Sequence, residues 1–244
     1  ICTGILITIV CTHQNLFACW GARPLGMGGA FVAVSDDIHS IYWNPAGLGN
    51  IDIAEFTYTR LMNLRDKASY DDFVAVAIPL RYGVLGIGYT YNGETKKMFV
   101  DDGNHFKIET DNYYLNIGYG IALQNVAVGL NVKAIATDIK FSGVSGGTPL
   151  DYSDDGFTIP LDFGLLWNIT PHLTFGLLYQ NFNEPTLKLS DSKLRYVSNL
   201  RPGIAWRPNQ STTFSVEIYD LLNNTDDLYG RDISIGIEKK VNGH

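Results

Sequence analysis

From residue 53 onward the chain alternates apolar and polar side chains at period two, the repeat of strands whose two faces meet different environments. Ten segments follow the pattern: Ile53 to Leu61, Tyr70 to Leu80, Gly83 to Tyr91, Asp111 to Ala122, Val126 to Phe141, Thr158 to Ile169, Leu173 to Asn181, Asn199 to Arg207, Thr212 to Asp220 and Arg231 to Lys240. The fifth is the clearest. Val126, Val128, Leu130, Val132, Ala134 and Ala136 share one face, against Ala127, Gly129, Asn131, Lys133 and Ile135 on the other. The sixth repeats it, with Ile159, Leu161, Phe163, Leu165 and Trp167 opposing Asp162, Gly164 and Asn168.

The connections alternate as well. Tight turns are expected near Arg81-Tyr82, Leu123-Asn125, Asn168-His172 and Arg207-Ser211, and long polar links at Met62 to Ser69, Asn92 to Thr110, Ser142 to Phe157, Phe182 to Ser198 and Leu221 to Gly230. Short turns at one end and long loops at the other mark an outer-membrane β-barrel, whereas a two-sheet sandwich has no reason to keep that order. The apolar face then turns to lipid, with Val128, Leu130, Leu161, Phe163, Ile204 and Ile235 outward. Tyr58, Tyr89, Tyr91, Tyr113 and Tyr179 form a belt near the long links, and Tyr119, Trp167 and Trp206 one near the short turns. The inward face carries Lys133, Asp162, Arg201, Arg207, Glu217, Asp232 and Glu238. So mixed a set of charges fits internal ion pairing better than a selectivity ring.

Ahead of the strands, Ala22 to Leu48 reads ARPLGMGGAFVAVSDDIHSIYWNPAGL. Gly26, Gly28 and Gly29 suit positive φ or close backbone approach. Ser35 is placed to cap a short helix with Asp36 and Asp37 in its first turn, and Pro45 to end it near Trp43. The string RxxGMGGAFxAxSDD...WNPAGL resembles the N-terminal hatch of the FadL superfamily of outer-membrane long-chain fatty-acid transporters, and within it most nearly the PorV/PorQ branch linked to type IX secretion. Beyond Leu48 the chain matches in strand pattern only.

The resemblance implies an all-β fold, an antiparallel transmembrane barrel closed by about 14 strands, with the hatch inside its periplasmic half. It also implies transport of hydrophobic compounds such as long-chain fatty acids. A ligand captured outside enters the lumen, the hatch shifts, and the ligand leaves sideways into the membrane. Gating then falls to Gly26, Gly28, Gly29, Asp36, Asp37, Asn44, Pro45, Ala46 and Gly47, of which Asn44, Pro45 and Ala46 match the family's NPA motif. Gly83, Gly86 and Gly88 are candidates for a bulge at a wall opening, although ordinary barrel curvature explains them equally well. The alternative is a PorV-like component that docks or shuttles exported proteins. Expected partners are outer-membrane lipid and lipopolysaccharide, with a hydrophobic small molecule or, alternatively, secreted proteins.

Residues 1–18 read as the tail of a signal peptide, with an apolar run Ile1 to Cys11 and cleavage after Ala18. A lipobox at Leu16-Phe17-Ala18-Cys19 competes with this, but Phe17 fits it poorly. Residues 19–50 are then the hatch and 51–244 the barrel. The absent basic leader and the ending Val241 to His244, which reads as a turn, suggest a fragment lacking about four strands.

All three cysteines fall within the first 19 residues, so no internal disulfide or Cys/His metal spacing exists in the body. A net charge of -7 without a basic stripe argues against nucleic acid. Mean hydropathy of +0.01 with 25 glycines suits strands of alternating polarity. Gly143 to Gly147 matches GxSxG in form, but no helix follows it. Gly26 to Gly29 lacks dinucleotide-site spacing. The acidic pairs Asp101-Asp102, Asp154-Asp155 and Asp226-Asp227 fall in links, and Asn168-Ile169-Thr170 is a sequon in form only. No catalytic residue, metal site or cofactor is expected.

Overall fold

The computed structural model describes residues 21–62, 70–101, 104–145, 147–190, 192–224 and 230–240. The expected signal peptide, Cys19 and residues 63–69 of the first long link lie outside the described residues.

Period-two alternation resolves into an antiparallel meander. Its strands are β1 (Glu55–Met62), β2 (Tyr70–Leu80), β3 (Gly83–Asp101), β4 (Asn104–Leu123), β5 (Val126–Ser145), β6 (Thr148–Thr158), β7 (Leu161–Thr170), β8 (Leu173–Gln180), β9 (Thr186–Lys188), β10 (Lys193–Arg195), β11 (Asn199–Asn209), β12 (Thr212–Tyr219) and β13 (Asp232–Lys239). One path runs β1-β2-β3-β4-β5-β7-β8-β11-β12-β13. β6 pairs with the far half of β5, and β9 and β10 form a separate ribbon. Each of the ten expected strands corresponds to one strand of this path, and the four tight turns stand where the sequence puts them.

The links differ from expectation. Among the described residues, Asn92 to Asp101, Asn104 to Thr110, Ser142 to Ser145 and Thr148 to Phe157 are not loops but continuations of β3 to β6, paired through Glu94↔Thr110 and Ser142↔Asp151. A strand crosses hydrocarbon in about 9–11 residues. β3, β4 and β5 are 19, 20 and 20 residues long, so roughly half of each stands beyond an apolar band. There the outer face turns polar, with Lys107, Glu109, Asp138 and Lys140, while Ile108, Ile139 and Phe141 lie buried on the other face, so the apolar-outward alternation of the membrane band disappears while the hydrogen-bond ladder continues. Within the Phe182 to Ser198 link, the β9–β10 ribbon packs back onto this projection. Leu187 is buried, and Leu189 packs on Ile108, Ile139 and Phe141.

Outward positions carry the apolar band. Leu130, Ile204 and Ile235 are 56%, 51% and 68% exposed, an arrangement that soluble proteins avoid over so large an area. Val128, Leu161 and Phe163 share that face but are half covered by neighbouring side chains. The aromatic residues of both expected belts sit on outward positions, where Trp206 stacks on Phe214 at 5.4 Å. Many inward positions are small or polar, with Phe73, Val84 and Leu166 among the larger ones, and they pack on residues 21–51.

That inner segment contains α1 (Ala22–Gly26), α2 (Ser40–Trp43) and a 3-10 helix (Pro45–Asn50). Ile38, Ile41, Leu48 and Ile51 pack on Phe73, Ala75, Ala77 and Val84. Met27, Phe31, Val34 and Trp43 pack with Ala205. Each large side chain buried here contributes roughly 1.5–3 kcal/mol. The segment thereby supplies the bulk that the inward wall residues lack.

Candidate functional site

The segment meets the wall through close backbone approach and a few charged clamps. A Cβ at Gly129 would lie 2.2 Å from the Pro45 carbonyl carbon, and one at Gly164 would lie 2.2 Å from Asn44 Oδ1. Only glycine at these inward positions lets the segment seat. Asn44 is fully buried and fastens the contact. Its Nδ2 donates to the Val32 carbonyl at 2.8 Å and to the Leu165 carbonyl of β7 at 3.1 Å, while Oδ1 accepts from Ala46 N. Pro45 begins the 3-10 helix that Asn44 caps. Ala46 packs with Ala127 and Leu166, and a Cβ on Gly47 would strike Ser35 O at 2.4 Å.

A buried ion pair holds the opposite side. Glu217 of β12 accepts from the backbone amides of Phe31 and Val32, both at 2.9 Å, and from Arg201 Nε of β11 at 2.8 Å. The Arg201 guanidinium is stacked over Trp43 at 5.3 Å and Tyr219 at 5.1 Å. Segment, β11 and β12 thus share one network, in which each charge is compensated and hydrogen-bonded as burial demands.

Arg23 is the third clamp. It contacts Asp36 at 2.5 Å, Asp37 at 2.7 Å and Glu238 of β13 at 2.7 Å. Burial tends to lower the Arg23 pKa, but hydrogen bonds to Glu238 and Asp36 outweigh it and raise the value. Burial likewise tends to raise Asp37, yet hydrogen bonds from His39 and Arg23 leave it below the ordinary carboxylate range. Next to Asp37, the Ile38 amide donates to Glu55 of β1 at 2.8 Å.

Beside the segment, Asn131 donates to the Ile41 carbonyl at 3.1 Å and to Asn116 at 3.2 Å. Lys133 pairs with Asp162 at 2.8 Å and with Asn181 at 2.7 Å. The mixed inward charges are therefore largely paired, with one another or with the segment.

The structure brings Gly28, Gly29, Asp36, Asp37, Asn44, Pro45, Ala46 and Gly47 together in one inner segment. Gly28 and Gly29 take φ of 60° and 80°. Gly26 has no positive φ, and a Cβ added to it would meet nothing within 4 Å, so neither backbone conformation nor close approach requires glycine there. Ser35 caps no helix. Its hydroxyl donates back to Phe31 O, and α2 starts five residues later, after His39. The register of β2, β3 and β4 is continuous through Gly83, Gly86 and Gly88, so no bulge exists there. Gly86 and Gly88 instead face Ile41, with Leu48 also over Gly86, while Gly83 lies against Tyr119 and the Gly120 carbonyl. Sequence reasoning missed Arg23 and Glu55 as site residues. Arg201, Glu217 and Glu238 were legible only as inward charges.

No family model and no curated protein matches the chain. Its structure is similar to that of a Pseudomonas aeruginosa FadL homologue, with 12% identity, 79% of this chain and 65% of that one covered, and a TM-score of 0.53. It is also similar to the TodX deltaS2S3 mutant monoaromatic hydrocarbon channel, with 11% identity, 91% and 76% covered, and a TM-score of 0.60. The chain thus spans about two thirds to three quarters of their lengths. At such identities the likeness is one of fold, and that fold is the antiparallel transmembrane barrel of FadL type.

Proposed function

We propose that the chain forms a bacterial outer-membrane channel for hydrophobic small molecules, with residues 21–51 as its hatch. The observation that carries this reading is the way the segment is held. A glycine-lined wall touches its backbone, and beyond its chain connection to β1 it is fastened only by non-covalent contacts, foremost three polar clamps at Asn44, Glu217 and Arg23. Such a plug can shift while the interstrand ladder stays intact. A likeness to a hydrocarbon channel supports a hydrophobic cargo, and the outward apolar band supports a membrane location.

The test is flux of a monoaromatic hydrocarbon into proteoliposomes. Asn44→Ala and Pro45→Ala are expected to change flux several-fold while the barrel still folds, as judged by its heat-modifiable gel mobility. Wild-type flux no greater than that of empty vesicles would overturn the reading. Equal flux in wild type and variants would remove the hatch from it.

A second reading, docking of exported proteins, is favoured by one feature. The paired far ends of β3–β4 and β5–β6 project well beyond the apolar band. Specific capture of a secreted protein that is lost on shortening those hairpins, with flux unchanged, would favour it.

A further inference from the structure

At the short-turn end a cleft of about 640 Å³ opens between the inner segment and the wall. Ala33, Val34 and Leu166, each at most 4% exposed, give it a closely packed apolar side, and Asn168, Thr174 and Arg207 a polar one. We propose that this cleft is a binding site for a compact amphipathic carboxylate, with Arg207 holding the anionic end and the Ala33-Val34-Leu166 side holding the apolar end.

Arg207 is fixed in place from both directions. Its amide donates to the His172 carbonyl at 2.7 Å, and its carbonyl lies 2.8 Å from His172 Nδ1. On the side chain, Nη1 donates to Thr174 Oγ1 at 3.0 Å, and that hydroxyl donates onward to Asn168 Oδ1 at 2.8 Å. A guanidinium has five N–H donors, and this chain of bonds uses one of them. Among the described residues no carboxylate lies within ion-pair distance of Arg207, in contrast to Arg23, Lys133 and Arg201. Asp36 stands across the cleft, but its carboxylate is engaged by Arg23 at 2.5 Å. The cleft therefore presents one uncompensated cation, oriented by a hydrogen-bonded scaffold and set beside apolar surface. A carboxylate meets the planar fork with two parallel hydrogen bonds, which neither water nor an alcohol reproduces. The volume falls within the usual range for small-molecule sites and leaves ample room for a ligand of benzoate size. The site does not depend on gating, since a barrel that conducts nothing would still bind there.

The test uses the purified full chain in non-ionic micelles, with benzoate, benzyl alcohol and inorganic phosphate as probes in calorimetric titrations. Benzoate is expected to bind at least ~10-fold more tightly than benzyl alcohol, against the order in which the two partition into micelles. Arg207→Gln is expected to abolish that preference, and Arg207→Lys to weaken it several-fold by keeping the charge and losing the fork. A second measurement needs no variant. The preference should vanish as the pH falls below that of an ordinary carboxylic acid, ~4, where the probe becomes neutral. Equal affinity for benzoate and benzyl alcohol, or a preference that survives in a folded Arg207→Gln barrel, would overturn the proposal. Phosphate binding as tightly as benzoate would overturn it too, because the apolar side would then contribute nothing.

Discussion

Arg23 in the inner segment donates to both carboxylate oxygens of Glu238 on β13, at 2.7 and 3.0 Å, across 215 residues of sequence. Since Asp37 binds the same guanidinium and its neighbour Ile38 donates to Glu55 on β1, the segment links the first and last strands of the pairing path. Arg23→Ala is expected to cost about 1–3 kcal/mol, as charged hydrogen bonds are lost and half-buried carboxylates remain. Limited proteolysis should then cut within residues 21–51 faster than in the wild type. Unchanged protection would mean that the clamp is incidental.

Glu217 should be the most sensitive single position. Glu217→Gln keeps an acceptor for the Phe31 and Val32 amides but leaves Arg201 charged and buried without its counter-ion. Removing one member of a buried pair costs about 3–5 kcal/mol. Adding Arg201→Met to Glu217→Gln should recover most of that loss, because the stranded charge goes with it. Guanidinium unfolding of the micelle-solubilised barrel measures both, and strict additivity would show that the two residues are not coupled.

The strand path was legible because lipid and lumen impose opposite chemistry on alternate residues, so Leu130 and Asn131 announce their faces directly. The hairpin projections were not, since the outer face there turns polar, as where Asp111 and Asp138 pair across β4 and β5, and the apolar residues Ile108, Ile139 and Phe141 stand on the opposite face from the lipid-facing band. In the inner segment, WNPAG flagged Asn44, but not that its amide would reach the Leu165 carbonyl on β7. That bond depends on the absence of a side chain at Gly164, a fact of tertiary placement. Ser35 failed as a cap for a related reason. It lies in a turn that closes on Phe31, whereas Asp37 engages the His39 amide just before α2.

Acid should loosen the Arg23 clamp late. The folded Asp37 carboxyl is held below its ordinary range, so its stabilising effect is complete above the unfolded value of ~3.9 and is lost as the pH falls through the depressed one. Channel conductance in planar bilayers should therefore stay flat from about pH 7 to pH 5 and rise only below pH ~4. Asp37→Asn should raise the neutral-pH conductance and flatten the acid response. A wild-type rise already at about pH 6 would assign the transition to another group.

Two alanine substitutions separate seating of the segment from glycine chemistry in general. At Gly26 an added methyl meets nothing within 4 Å, and the backbone needs no positive φ, so Gly26→Ala should be neutral or slightly stabilising. At Gly129 the same methyl would stand 2.2 Å from the Pro45 carbonyl carbon and 2.5 Å from Ala46 N. Backbone cannot yield there as a flexible side chain would, so the segment has to move out by more than an ångström or the strand has to bend. Such overpacking costs about 1–3 kcal/mol. Since β5 is held by its β4 and β7 ladders on both sides of Gly129, the segment should give way first. Gly129→Ala is thus expected to fold to a heat-modifiable barrel with raised conductance and faster proteolysis at residues 21–51. A Gly129→Ala barrel with wild-type conductance and protection would show that the Pro45-Ala46 contact does not hold the segment in place.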